Sequence, residues 1–167
     1  MNRLIRDAEP ADLPTIADIY NREVASSLAT LDTEPMSGDR LERFGRAHSV
    51  DRFPLRVGEV GGVVIGWASL SPWSDRCGYA RAAEVSVYVA ESARGRGWGR
   101  ALLEDLENCA RSLGTAVLLA RIVAGRETSL ALHRKLGFAE IGVMRRVGAK
   151  FGQIVDVVLL DKHLDNA

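Results

Sequence analysis

The stretch from Ala83 to Ser112, AEVSVYVAESARGRGWGRALLEDLENCARS, decides how the rest of the chain is read. Its first part alternates on a strand period, so Glu84, Ser86 and Tyr88 share one face and Val85, Val87 and Val89 the other. Arg94 to Arg100 then packs three glycines and three arginines into seven residues. Beyond it, Leu102, Leu106, Cys109 and Leu113 recur at helical spacing and form one apolar face. Glycines let backbone N–H groups come close to a ligand, and a helix start presents a positive dipole end. Strand, turn and helix in this order read as a cradle for phosphate.

A chain of 167 residues has the length of one domain with a substantial core, taken as residues 1–167. Its 47% hydrophobic and 26% charged residues are those of a soluble globular protein. Lys plus Arg and Asp plus Glu are both 22, and a net charge of zero argues against a nucleic-acid partner. The apolar runs are too short to span a membrane, and Met1 to Arg6 lacks the apolar core of a signal peptide. Cys77 and Cys109 have no metal-type spacing, so they read as reduced thiols of a cytoplasmic protein, with no disulfide and no metal site.

Working outward, Leu4 to Arg6 is a first strand. Pro10 or Pro14 opens a helix carrying Leu13, Ala17, Tyr20 and Val24 on one face. Ser37 caps a short second helix through about His48. Pro54 to Val60 and Val63 to Leu70 are strands joined at Gly61-Gly62, and Pro72 to Ala80 is a loop. After the central stretch come a buried strand at Ala116 to Val123 and a helix at Thr128 to Leu136, stopped by Gly137. Two last strands, Phe138 to Arg145 and Ile154 to Leu160, flank a loop from Gly148 to Gly152.

A dinucleotide-binding turn is the rival reading of Gly95-x-Gly97-x-Gly99. That fingerprint sets its last glycine one residue later and ends the next strand on an acidic residue, whereas here the strand ends Arg121-Ile-Val-Ala124. The element order instead resembles the Gcn5-related N-acetyltransferase (GNAT) fold. Arg94-x-x-Gly97-x-Gly99 between strand and helix matches its central signature, and Ser129-Leu-Ala-Leu-His133-Arg-Lys-Leu-Gly137-Phe138 its second. Ile19-Tyr-Asn21, Ala29-Thr-Leu-Asp-Thr-Glu-Pro35, Gly66-Trp-Ala68, Glu84 to Val89, Leu132-His133 and Asp156-Val157 together resemble phosphinothricin and methionine sulfoximine acetyltransferases, over roughly Ile5 to Leu160. The chain departs from that pattern at Arg126, where the family usually has Asn, and at Ala80, where relatives often have an arginine.

The resemblance implies an α/β fold with a mixed, mostly antiparallel sheet of about seven strands and about four flanking helices. It implies transfer from acetyl-CoA directly to the amino group of a small amino-acid analogue, with no Cys or Ser nucleophile in the motifs, and a homodimer. N–H groups from Arg96 to Ala101 meet the pyrophosphate of coenzyme A, with Arg94 or Arg100 adding side-chain contacts, so Arg94, Gly95, Arg96, Gly97, Trp98, Gly99 and Arg100 form the cofactor turn. Val87, Tyr88 and Val89 supply backbone groups near the thioester, and Ser129 and His133 line the following helix. Glu84 matches the proposed base. His133 sits where many members carry a tyrosine that protonates the thiolate, and either a catalytic or a structural role fits it. Tyr88 is a second acid candidate, or it packs against the pocket. The acceptor's carboxylate calls for a fixed cation, and Arg76, Arg81 and Lys150 are the candidates. Leu31, Trp73 and Phe151 wall the acceptor pocket, or Trp67 and Trp73 are core aromatics. Asp156 fixes a loop or a dimer contact. The rivals are an acetyltransferase for another amine (a protein N-terminus, a polyamine or an antibiotic) and a non-catalytic acyl-CoA-binding module.

Overall fold

The computed structural model describes residues 3–164. Within them one sheet is built from β1 (Arg3–Asp7), β2 (Leu55–Val60), β3 (Val63–Pro72), β4 (Ala82–Val89), β5 (Val117–Val123), β6 (Ala139–Lys150) and β7 (Gln153–His163). The strand order is β1-β2-β3-β4-β5-β7-β6. Every neighbouring pair is antiparallel except β4–β5, which is parallel. The helices are α1 (Leu13–Ser26), α2 (Gly38–Ala47), α3 (Trp98–Ser112) and α4 (Glu127–Lys135). This is the mixed, mostly antiparallel architecture that the resemblance implied.

Alternation along the strands sorts side chains into two cores. Val85, Ala68, Leu118 and Leu160 pack with Leu102, Leu106 and Ala110 of α3 and Leu130 of α4. On the opposite face Val57 and Trp67 pack with Ile16, Ala17 and Ile19 of α1. The buried face of α3 is Trp98, Leu102, Leu106 and Ala110, an i+4 row with Leu103 beside it. Cys109 is only half-buried and Leu113 is 36% exposed, so both depart from the expected apolar face. The row drifts around the helix with each turn, and the small Ala110 rather than Cys109 continues it.

The end of the chain also differs from expectation. β6 runs on to Lys150, so most of the stretch read as a loop is strand, and only Phe151-Gly152 forms the hairpin turn. Both turn residues have positive φ, 53° and 72°, as a tight two-residue hairpin requires. The β6 register shifts between Met144 and Gly148, and Arg146 sits there at φ 54°. Its N–H donates to Asp156 Oδ1 at 2.6 Å, so Asp156 pins this irregular segment. Little covers this ribbon: Ile141, Val143, Val147 and Ile154 are all more than half exposed.

Candidate active site

β4 and β5 part company halfway along. Their ladder pairs Ala82, Ala83 and Glu84 with Val117, Leu118 and Leu119, although β4 continues to Val89 and β5 to Val123. Ala90 N–H donates to Ile65 O on the β3 side, so by alternation the N–H groups of Val87 and Val89 point toward β5. Past Glu84 they have no ladder partner among the described residues. Each such polar group needs a partner, which makes the gap a ready seat for a hydrogen-bonding chain.

The glycine turn closes over the open end of that gap. Gly95 and Gly97 adopt φ 72° and 81°, and nothing lies within 4 Å of where a Cβ would stand. Gly97 is the residue before α3, so the first N–H groups of the helix have no partner within it. A Cβ on Gly99 would stand 3.2 Å from Leu132 Cδ2 and 3.9 Å from Val89 Cγ2, which shows how closely turn, β4 and α4 meet. Arg100 donates to Glu104 at 2.8 Å along the helix surface, and the carbonyl of Arg96 accepts from Arg3. Trp98 is buried at 4% exposure, with Arg3 stacked 4.5 Å from its ring centroid. Its indole is therefore a core anchor, and only its backbone is left for a ligand. Arg94 bridges the turn and α1, donating to the Val89 carbonyl at 3.1 Å and to Glu23. Burial pushes the Glu23 carboxyl up, but Ser27 and Arg94 together hold it below its ordinary value. N–H groups at a helix start, two left-handed glycines and unpaired strand amides fit a diphosphate followed by an amide-bearing arm.

On the face away from α3, Glu84, Ser86 and Tyr88 lie side by side with Ser71, Ser69 and Trp67 of β3. A cavity of about 390 Å³ opens over Ser69, Ser71, Ser86 and Tyr88, with Arg40 and Phe44 of α2 among its walls. Tyr20 donates to Asp32 at 2.5 Å, and Asn21 pairs with both the N–H and the C=O of Met36 at 2.7 and 3.0 Å. The Ile19-Tyr-Asn21 motif thus fastens the loop after α1 over this cavity. Burial, with Asp32 as acceptor, pushes the Tyr20 hydroxyl up to about 12. Tyr88 packs against Tyr20 and Trp67 at centroid distances of 5.0 and 4.9 Å, and burial raises its hydroxyl well above the ordinary tyrosine range.

Glu84 is not an isolated carboxylate. Arg121 of β5 grips both its oxygens, through Nε at 2.7 Å to Oε1 and through Nη2 to Oε2. The same guanidinium lies 5.5 Å from the ring centroid of Trp73, which gives that tryptophan a place at the site's edge. Hydrogen bonding to Glu84 raises the Arg121 pKa. Sequence reasoning passed over Arg121. The available signal was one charge in the apolar run Val117 to Val123, on the face opposite the Leu118 and Ala120 core positions.

His133 is 3% exposed, its Nδ1 lies 2.9 Å from Ser129 O, and it meets Phe138 edge-on. A carbonyl only accepts, so Nδ1 carries the proton and Nε2 of the neutral ring is bare. Burial lowers its pKa. Lys150 corrects the expectation most sharply. It is 4% exposed and donates to Glu23 O, Ser27 O and Thr30 O at 3.2, 2.8 and 2.9 Å. All three ammonium donors are spent on the end of α1, which leaves none for a substrate carboxylate. Leu31 packs on Gly148, where a Cβ would stand 2.5 Å from Leu31 Cδ1. Phe151 is exposed at the hairpin tip, and Arg76 and Arg81 are exposed on the loop before β4.

The acetyltransferase (GNAT) family model matches residues 15–138. The chain is 37% identical to an L-methionine sulfoximine/L-methionine sulfone acetyltransferase of Pseudomonas paraeruginosa, over 99% of this chain and 96% of that protein. A ribosomal-protein-alanine N-acetyltransferase from Brucella melitensis superposes with a TM-score of 0.93 at 41% identity, covering 96% of this chain and 99% of that one. A phosphinothricin acetyltransferase from Sinorhizobium meliloti, solved in complex with AcCoA, superposes with a TM-score of 0.92 at 35% identity, covering 98% of this chain and 89% of that one. The parted parallel strands with a glycine turn at their lip are thus found in an acetyltransferase setting. The chain belongs to the GNAT family of acetyltransferases.

Proposed function

We propose that the whole chain, 1–167, is one catalytic domain that moves the acetyl group of acetyl-CoA onto the α-amino group of a small amino-acid analogue. Methionine sulfone, methionine sulfoximine and phosphinothricin are the acceptors we favour, because relatives bearing those names match nearly the full length. The observation that carries the reading is the β4–β5 ladder stopping at Glu84, with the glycine turn at one end of the gap and a serine-floored cavity on the face beside it. Acetyl-CoA supplies, when bound, an acetyl group activated as a thioester. N–H groups of the turn and the start of α3 hold the diphosphate, and those of Val87 and Val89 hold the arm and orient the carbonyl. Glu84 takes the proton from the acceptor's ammonium, directly or through water. His133 orders the α4 wall rather than supplying a proton, since its Nε2 has none to give in this tautomer. Tyr88, kept protonated by burial and with its hydroxyl 3.5 Å from the Ala29 carbonyl, walls the acceptor pocket, and the departing thiolate takes its proton from water.

The test is thiol release from acetyl-CoA with a panel of amines. Release with methionine sulfone or phosphinothricin supports the reading. Release only with an alanine-starting peptide transfers it to the second reading, which the likeness to the Brucella protein favours. Tight acetyl-CoA binding with no release on any amine leaves a binding module. We further propose a homodimer through the exposed apolar ribbon of β6 and β7. Light scattering that gives a monomer mass for the wild type overturns it, whereas a dimer converted to monomer by Val143→Lys supports it. No helix among the described residues is long and apolar enough to cross a membrane. The unpaired thiols of Cys77 and Cys109 support a reducing compartment, the cytoplasm.

A further inference from the structure

We propose that Arg121 is the cation that receives the acceptor's carboxylate, and that Arg121 with Glu84 forms a receptor for an amino-acid zwitterion. The inference rests on the preceding reading that the acceptor is a small amino acid.

An α-amino acid carries an ammonium and a carboxylate on one carbon, so its receptor needs an anion and a cation side by side. Glu84 and Arg121 are such a pair, held by a two-point contact. The pair stands where acceptor and cofactor have to meet. Glu84 and Leu119 are the last partners of the parallel ladder, and Arg121 lies two residues further along β5. Arg121 therefore shares the Glu84 face at the foot of the gap, and Ser71 and Ser86 beside Glu84 floor the cavity.

The guanidinium has donors to spare. Glu84 engages Nε and one N–H of Nη2, which leaves the far edge of the fork, with Nη1, without a hydrogen-bond partner among the described residues. The Arg121 side chain is 51% exposed, open to a ligand, while Glu84 is 17% exposed and fixed. Trp73 beneath the guanidinium helps to set its plane. Two other candidate cations are already engaged. Lys150 is spent on carbonyls, and Arg40 is engaged by Asp32 and by the Glu34 carbonyl.

The test compares L-methionine sulfone with its decarboxylated counterpart, an amine that keeps the sulfone and loses only the carboxylate. Arg121→Gln should raise KM and lower kcat/KM for methionine sulfone about 10- to 150-fold, the worth of a charge-assisted hydrogen bond. On the decarboxylated amine the same variant loses only its grip on Glu84, so kcat/KM should fall at least about tenfold less than on methionine sulfone, the difference being the carboxylate contact. Acetyl-CoA affinity, measured by calorimetry, should not move. Arg121→Lys should recover part of the loss, since the charge remains without the planar fork. An equal loss on both amines, or an unchanged KM for methionine sulfone in Arg121→Gln, overturns the proposal. A wild type that acetylates a peptide but neither small amine overturns the preceding reading instead, and it does so before any variant is compared.

Discussion

Replacing Lys150 by methionine keeps the length and apolar stem of the side chain and deletes only the ammonium. In the folded protein that ammonium satisfies three carbonyls where α1 ends and the following loop begins, at 2.8, 2.9 and 3.2 Å. A hydrogen bond to a charged group contributes about 1.5–3 kcal/mol, and a buried acceptor left without a partner costs about 1–3 kcal/mol. Against this, burying the ammonium is itself unfavourable, and an apolar isostere of a buried charge recovers part of that cost. With two good contacts and one long one, the net loss is about 2–4 kcal/mol, a large share of the roughly 5–15 kcal/mol that holds an ordinary domain. Urea unfolding should show the midpoint falling with an unchanged slope. Because the loop after α1 covers the cavity, KM for the acceptor should rise while acetyl-CoA affinity holds. A stability loss below about 1 kcal/mol together with abolished acceptor binding would refute this reasoning and return Lys150 to the substrate.

Glu84→Gln should lower turnover about 100- to 10,000-fold, the usual worth of a placed base, with acetyl-CoA affinity unchanged; equal turnover at every pH removes Glu84 from the mechanism. Gly97→Ala meets no neighbour but forces a Cβ into a left-handed conformation, so stability should fall by about 1–2 kcal/mol and acetyl-CoA should bind more weakly. His48 and His133 are both held below the ordinary imidazole value by burial. The unfolded chain therefore takes up their protons first as pH falls, so the stability present above about pH 6.5 declines below it. Denaturant titrations at pH 7 and pH 5 check this, and His133→Gln should flatten the profile; a level profile in the wild type contradicts it. Carboxylates with lowered pKa, such as Asp12 and Glu107, contribute their loss only at still lower pH.

Local chemistry was legible in the sequence where it depended on near neighbours. Alternation from Glu84 to Val89, the stop of α4 at Gly137 and the Gly61-Gly62 hairpin all appear as read. The face of α3 was placed slightly wrong because Cys109 looks more apolar than Ala110, yet the i+4 row from Trp98 selects the alanine. Lys150 looked like a loop cation because glycines bracket it. Only the pairing of β6 with β7 shows that the strand continues and carries the side chain inward. Arg121 required knowing that β5 lies beside β4 and in which register, and a single sequence does not encode that pairing locally. Glu84 was legible, while the cation that grips it depended on tertiary contact.

The gap between β4 and β5 carries the proposed chemistry. Amide hydrogen exchange followed residue by residue, with and without acetyl-CoA, tests it most directly. Val87 and Val89, together with the turn from Gly95 to Arg100, should become strongly protected when acetyl-CoA is added, while Tyr88, already turned toward β3, should change little. Protection confined to other parts of the fold, with Val87 and Val89 exchanging as before, would contradict the account.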